Sequence, residues 1–307
     1  MQGRIADGAG FVAVDRFTID VLLERPNPVL HTDWENLLIM SRVWAERHGL
    51  GERGRAANPT PMLPANGTGP YRLTRHTSAG GSRFQRNERW WGWQPAGDRV
   101  AAPKRIELNT IRNDQTRTAA LLAGQVELIV PAPLQDPARI EATARFTGAG
   151  GPELRTIFLN MDQMRAKLVG AMPGTPNPLR DVRVRRAIYQ AIDVDLIRRV
   201  VMRGEAVAAA ALVSPVVLPG IAAIERLPFA PEQARRLLAE AGYGDGFALA
   251  MDCPNDRYVN DEAVFLALAQ MLSRVGIRVK VSLMPKALYF QKVLSGGGYD
   301  SAFNLLG

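Results

Sequence analysis

Few residues of this chain are of types that do chemistry, and none stands at a spacing that reads as a catalytic or metal centre. Among 307 residues there are three histidines, His31, His48 and His76, and one cysteine, Cys253. No histidine has a partner at metal-ligand spacing, and neither a His-Glu-x-x-His nor a Cys-x-x-Cys pattern occurs, so no metal site and no cofactor is expected. A Gly-x-Ser-x-Gly nucleophile elbow is absent. The turn at 67–71 (GTGPY) has glycines like a phosphate-binding loop but lacks its Lys and Ser/Thr, and Pro70 removes an amide donor. Carboxylates are abundant, with 30 Asp and Glu. Nothing pairs two of them as acid and base, and solvated side chains are the plainer reading. Trp90, Trp91 and Trp93 offer stacking surface and an N–H. Packing is the plainer reading for them too, because ligand grooves also gather convergent polar groups.

Composition narrows the classes further. A length of 307 residues suggests two domains, and 47% hydrophobic with 22% charged residues is ordinary for a globular protein. Apolar runs such as 207–212 are far shorter than the roughly 20 residues of a membrane span, and no export signal is visible at the N-terminus. The net charge of +8 speaks to association with anionic partners and not to fold. Basic residues gather at 180–203, where several fall on the expected solvent side of helices. Without aromatic-basic interleaving or a recognition motif, a solvated face is the reading, and no nucleic acid is expected as partner. A lone cysteine makes no internal disulfide, and Cys253 is expected to be a small buried apolar residue.

The elements that would position a site follow from periodicity. Residues 17–23 alternate apolar and polar, the signature of a half-buried strand, and Pro26 and Pro28 end it. The segment 37–44 fits strand or helix, and 49–64 reads as a loop. Gly67, Gly69 and Pro70 make a turn that leads into extended chain at 71–73. A strand at 106–111, a helix capped by Asp114 and ended near Gly124, and a buried strand at 126–130 read as a βαβ unit. Residues 156–160 are another short strand. Asp181 caps a helix with Val184, Ala187, Ile188, Ala191 and Ile192 on one face. Pro231 opens another, closed by Gly242. A strand at 247–252, a helix opened by Asn260 or Asp261, and an alternating strand at 277–283 form a second βαβ unit.

Residues 66–92 (NGTGPYRLTRHTSAGGSRFQRNERWWG) are followed in order by 103–130 (PKRIELNTIRNDQTRTAALLAGQVELIV), 156–160 (TIFLN), 181–195 (DVRVRRAIYQAIDVD) and 229–246 (FAPEQARRLLAEAGYGDG). Each is a turn, cap or packing pattern. Their order and spacing over nearly the whole chain resemble the extracellular solute-binding proteins of ABC importers, family 5, the class of dipeptide-, oligopeptide- and nickel-complex-binding receptors. The resemblance implies an α/β, two-lobed, periplasmic-binding-protein-like fold of type II, with no catalysis. It implies a monomer, periplasmic or extracellular, whose partners are a peptide or other small solute held between the lobes and an ABC permease in the membrane. Residues 1–160 would belong to a strand-rich lobe one containing the first βαβ unit. Residues 161–307 would belong to lobe two, with helices over 181–200, 231–241 and 261–275.

The same resemblance nominates ligand-binding residues. Asn160 and Met161 fall at the crossing between lobes, where clefts between domains hold ligands. Arg42 and Trp44 fall in a segment that can approach the cleft from lobe one, with a buried Trp and an exposed Arg as the equal alternative. Dipeptide, oligopeptide, sugar-like compound and chelated metal all stay open as solute. Family members carry sequence before the part matched by Phe17 and after Gly307, so the chain is expected to be the family's middle, binding solute weakly or not at all and unfolding at low denaturant. Its last run, 302–307 (AFNLLG), is expected as a strand at a sheet edge. Three rivals remain: a nucleic-acid- or anionic-surface-binding protein, an α/β enzyme with an unrecognised site, and a nonfunctional receptor fragment.

Overall fold

The computed structural model describes residues 10–28, 30, 34, 41–48, 66–77, 81–93, 102–151, 153, 155–168 and 176–294, and the backbone of 303–306. His31 and the loop expected over 49–64 lie outside these residues. Backbone proximity divides the chain into two units, Met1–Arg112 and Asn113–Gly307.

In the first unit, β1 (Gly10–Ala13) pairs antiparallel with β2 (Ile19–Leu22). The strand expected from residue 17 begins later because Asp15 folds the chain into a turn, its carboxylate accepting from the Phe17 amide at 2.6 Å and the Thr18 hydroxyl at 3.0 Å. The undecided segment near residue 42 is helical: α1 (Arg42–Arg47) starts at Ser41, whose hydroxyl accepts from the Trp44 amide. The GTGPY turn leads into β3 (Tyr71–Thr77), which forms a three-stranded antiparallel sheet with β4 (Gly81–Arg86) and β5 (Arg105–Leu108).

The second unit opens with α2 (Asp114–Leu122). Its cap is Asn113, not the expected Asp114; the Asn113 side chain accepts from the Thr116 amide at 2.9 Å. Asp114 falls in the first turn, where its charge suits the helix dipole. The strand expected over 126–130 is absent, and Leu128 and Val130 are exposed at 77% and 78%. A short apolar run becomes a strand only if it pairs with a neighbouring edge, and 126–130 does not pair with the open edge that β5 keeps in the order β3-β4-β5. The first expected βαβ unit is therefore not formed. A short helix, α3 (Pro137–Glu141), follows with its proline in the first turn.

β6 (Phe158–Met161) leads to α4 (Val182–Ala191), capped by Asp181 as expected. The helix expected to run to residue 200 breaks at Ile192, which is extended. Asp193 then caps α5 (Val194–Leu196), and one wide turn over Ile197–Val201 completes the segment. α6 (Pro231–Glu240) starts at Pro231. It ends at Gly242 with φ +87°, where the Gly242 amide donates to Ala239 O at 2.9 Å and the Tyr243 amide to Leu238 O at 2.8 Å. β7 (Phe247–Pro254), α7 (Asp261–Ser273) and β8 (Ile277–Met284) form the second expected βαβ unit, with β7 and β8 parallel. α8 (Lys286–Leu294) follows, and β9 (Phe303–Leu306) completes a sheet of order β6-β9-β7-β8. The final run is not an edge strand: β9 pairs parallel with β7 and antiparallel with β6. The buried core, including Leu179, Val184, Ile188, Leu238, Phe265 and Leu272, lies where α4, α6 and α7 meet the sheet.

Asp181 gives a test of the cap. Its carboxylate accepts from the Arg183 amide at 2.8 Å and from the guanidinium of the same residue, and that side-chain bond holds its pKa below the usual carboxylate range. A depressed pKa means that the stability is present at neutral pH and fades as pH falls through the lowered value. Asp181→Ala is expected to cost about 1 kcal/mol at neutral pH and progressively less under acid, as read by denaturant unfolding across a pH series. A pH-independent cost would contradict the role of the charge.

Candidate functional site at the end of the parallel strands

The sheet of the second unit carries one polar row. Asn160 of β6 stands opposite Asn304 of β9, Asn304 opposite Asp252 of β7, and Asp252 opposite Ser282 of β8. Residues in register across strands share a face. Leu159 and Met161 fall on the other face and pack against the hydrophobic core, together with Met251 and Cys253. Of the two neighbouring candidates, then, Asn160 belongs to the polar row and Met161 to the core side. Asp252 is 2% exposed. Lys292 of α8 donates to its Oδ1 at 3.0 Å and lies 2.8 Å from Oδ2.

Open α/β sheets hold ligands outside the carboxyl ends of their parallel strands. Here that edge is formed by the ends of β7 and β9, and by the residues just before β6, which runs the opposite way. The loop leaving β7 is held by Asp261, 5% exposed, whose Oδ2 accepts the amides of Arg257 and Tyr258 at 3.0 Å each. Tyr258 in this loop is buried, 8% exposed, and two guanidinium groups lie near its ring, Arg155 at 5.8 Å and Arg257 at 5.3 Å from the centroid. Arg257 also lies 5.9 Å from the ring of Phe290 on α8. Arg155 meets Glu153 at 3.3 Å, whereas Arg257 has no ion pair among the described residues. Two cations on one ring repel each other, and a planar guanidinium fork without a carboxylate is suited to receive one.

Sequence reasoning missed Arg155, Arg257 and Tyr258. They are remote in the chain and belong to no motif, and strand order alone brings them together. One signal was available: Arg257 and Tyr258 lie in the loop that follows the first strand of a βαβ unit.

Arg42 and Trp44 lie in the first unit, on α1. The Arg42 guanidinium is ion-paired to Glu46 at 2.7 Å with its side chain 90% exposed, and the Trp44 ring lies 4.6 Å from that of His48. Trp93 donates to Asn87 O at 2.8 Å, and Trp90 packs edge-on against it at 4.9 Å, so these two rings serve the turn after β4. Cys253 is fully buried, and burial pushes its thiol up, away from the thiolate that would react. A cleft of about 160 Å³ between Ala191, Leu196, Phe229, Pro231 and Met271 is smaller than the roughly 300 Å³ at which ligand pockets begin. Among the described residues no cluster of three or more His, Cys, Asp or Glu is poised for a metal, and no helix is long and apolar enough to cross a membrane.

Comparison with known proteins bears on the fold and the family. The glutathione-binding protein GsiB of Shigella boydii serotype 4 is 24% identical over 295 residues, covering 95% of this chain and 52% of that protein. GsiB of Escherichia coli O1:K1 is 26% identical over 240 residues, or 78% of this chain and 43% of that one. The chain thus spans about half the length of the curated relatives it matches. Among solved structures, the periplasmic binding protein DppA of Helicobacter pylori, in complex with the peptide STSA, superposes with a TM-score of 0.69 at 21% identity. It covers 97% of this chain and 53% of that one. The dipeptide-binding protein of Pseudoalteromonas sp. SM9913, in complex with Met-Leu, gives 0.68 at 19% identity, over 96% and 55%. These likenesses show the periplasmic-binding-protein α/β fold, over about half the length of those structures. The family model described as "Bacterial extracellular solute-binding proteins, family 5 Middle" matches residues 2–307, and the chain belongs to that family.

Proposed function

We propose that the protein is the solute-binding component of an ABC importer, a monomer outside the cytoplasmic membrane that captures a peptide-like solute and delivers it to a membrane permease without chemistry. Residues 1–160 and 161–307 would be parts of its two lobes, with Asn160 and Met161 at the crossing and Arg42 and Trp44 facing the cleft from lobe one. The observation that carries the reading is Arg257, without an ion pair among the described residues, beside Tyr258 past the carboxyl end of β7, on a chain whose family binds solutes. A solute carboxylate set against the Arg257 guanidinium would supply the anion it lacks among the described residues and relieve its repulsion with Arg155.

The test is isothermal titration of glutathione and a set of dipeptides into the protein expressed from its entire reading frame. Saturable binding is expected for at least one. Arg257→Ala should weaken it about tenfold to a hundredfold, the worth of a hydrogen bond to a charged group, and Arg257→Lys should restore part. Amidating the carboxylate of the bound peptide should cost as much in the parent protein and little in Arg257→Ala. No binding by any peptide would sink the function, and binding indifferent to Arg257 would sink its role.

A further inference from the structure

The solvent face of the sheet formed by β3, β4 and β5 concentrates one sign of charge. Register places Arg72, Arg75, Arg83 and Arg105 on that face with Gln85 and Glu107, while Leu73, Phe84 and Ile106 take the other. Glu107 meets Arg83 at 3.1 Å and Arg105 at 3.4 Å. Arg72 and Arg75 are exposed and have no ion pair among the described residues.

Arg75 owes its place to a bulge. The ladder passes from Leu73 opposite Phe84 to Arg75 opposite Arg83, and the extra residue, Thr74, donates its hydroxyl to Arg83 O at 3.0 Å. In an unbroken ladder Thr74 would oppose Arg83, and Arg75 would turn to the apolar side. The bulge therefore sets two arginines directly opposite each other, a pairing that destabilises a sheet. A local feature that costs stability while gathering positive charge implies an anionic partner outside the chain. The turn that ends β4 adds an exposed indole, Trp91 at 77% exposure, beside the half-buried Trp90 at 5.5 Å.

We propose that this face docks on an anionic phospholipid surface. The arginines spread over three strands with no pocket among them, which suits a plane of headgroups better than a single acidic side chain. Trp91 has the apolar body and N–H tip that settle at the membrane–water boundary. The surface is distinct from the edge proposed to hold solute, and would hold the protein near its membrane whether or not solute is bound.

Flotation with vesicles tests it, using the protein expressed from its entire reading frame. Binding is expected to vesicles of phosphatidylglycerol with phosphatidylcholine but not to phosphatidylcholine alone, with a blue shift of indole fluorescence, and should weaken as salt screens the attraction. Each arginine near such a surface is worth roughly a factor of five, so Arg72→Gln with Arg75→Gln should lower partitioning about 25-fold. Trp91→Ser should remove most of the fluorescence shift. All three positions are exposed, and Arg75→Gln relieves a like-charge pair, so the unfolding midpoint of the double variant should be equal or higher. Equal binding to both vesicle types, no binding to anionic vesicles, or unchanged partitioning of the double variant would each overturn the proposal. Preference for polyglutamate over anionic vesicles would overturn it in favour of an acidic polypeptide as partner.

Discussion

Gly246→Ala is expected to destabilise the second unit by about 3 kcal/mol or more. Gly246 has φ +75°, and a Cβ there would stand 2.0 Å from the carbonyl oxygen of Gly276. Left-handed backbone costs a non-glycine residue roughly 1–2 kcal/mol by itself. The clash falls on backbone, which has no rotamer to give way. The same oxygen accepts the Phe247 amide at 3.2 Å, so relieving the contact means parting β7 from β8 at their first rung. Gly244→Ala is the matched control: its added Cβ would meet only the Ala239 side chain and Cα, at 3.7 and 3.8 Å, and should cost under about 1 kcal/mol. Urea unfolding of the two variants decides the matter; similar midpoints would show that the close approach of the two strands contributes nothing.

Lys292→Met is expected to cost about 3 kcal/mol, nearly as much, for an electrostatic reason. Asp252 is 2% exposed in the middle of the sheet, and the Lys292 ammonium, at 3.0 and 2.8 Å, is its charged partner. Removing one member of a buried ion pair leaves the other as an uncompensated charge in low dielectric, which costs about 3–5 kcal/mol. Partial exposure of the Lys292 side chain, 26%, places this pair at the lower end. Asp252→Asn together with Lys292→Met should recover most of the loss, because an amide tolerates burial better than a carboxylate. If the double variant is as unstable as the single one, packing of α8 rather than charge is responsible.

The elements that could be read from the residues alone are those whose signals are local. Asp181 and Pro231 begin helices because a carboxylate satisfies orphan amides and proline lacks one, and both effects act within one turn. Gly242 ends α6 because the bonds to Leu238 and Ala239 need a left-handed residue. The alternation over 277–283 specified β8 because only a half-buried strand uses that period. The same reasoning failed at 126–130, where apolar content did not pair with any edge and produced no strand, and at Ile192, where an extended residue interrupts a sequence whose helical period runs on.

By itself the sequence determined the start of α4, both ends of α6, the alternation of β8, the α/β character and, through the order of its segments, the family. Tertiary structure alone decided that residues 303–306 lie inside the sheet between β6 and β7. It also placed Asn160 in a row with Asp252 and Ser282, and brought Arg155 and Arg257 to one ring. Strand order and register are settled by hydrogen bonds between segments far apart in the chain, and a local pattern of residue types carries no information about which distant edge will receive them.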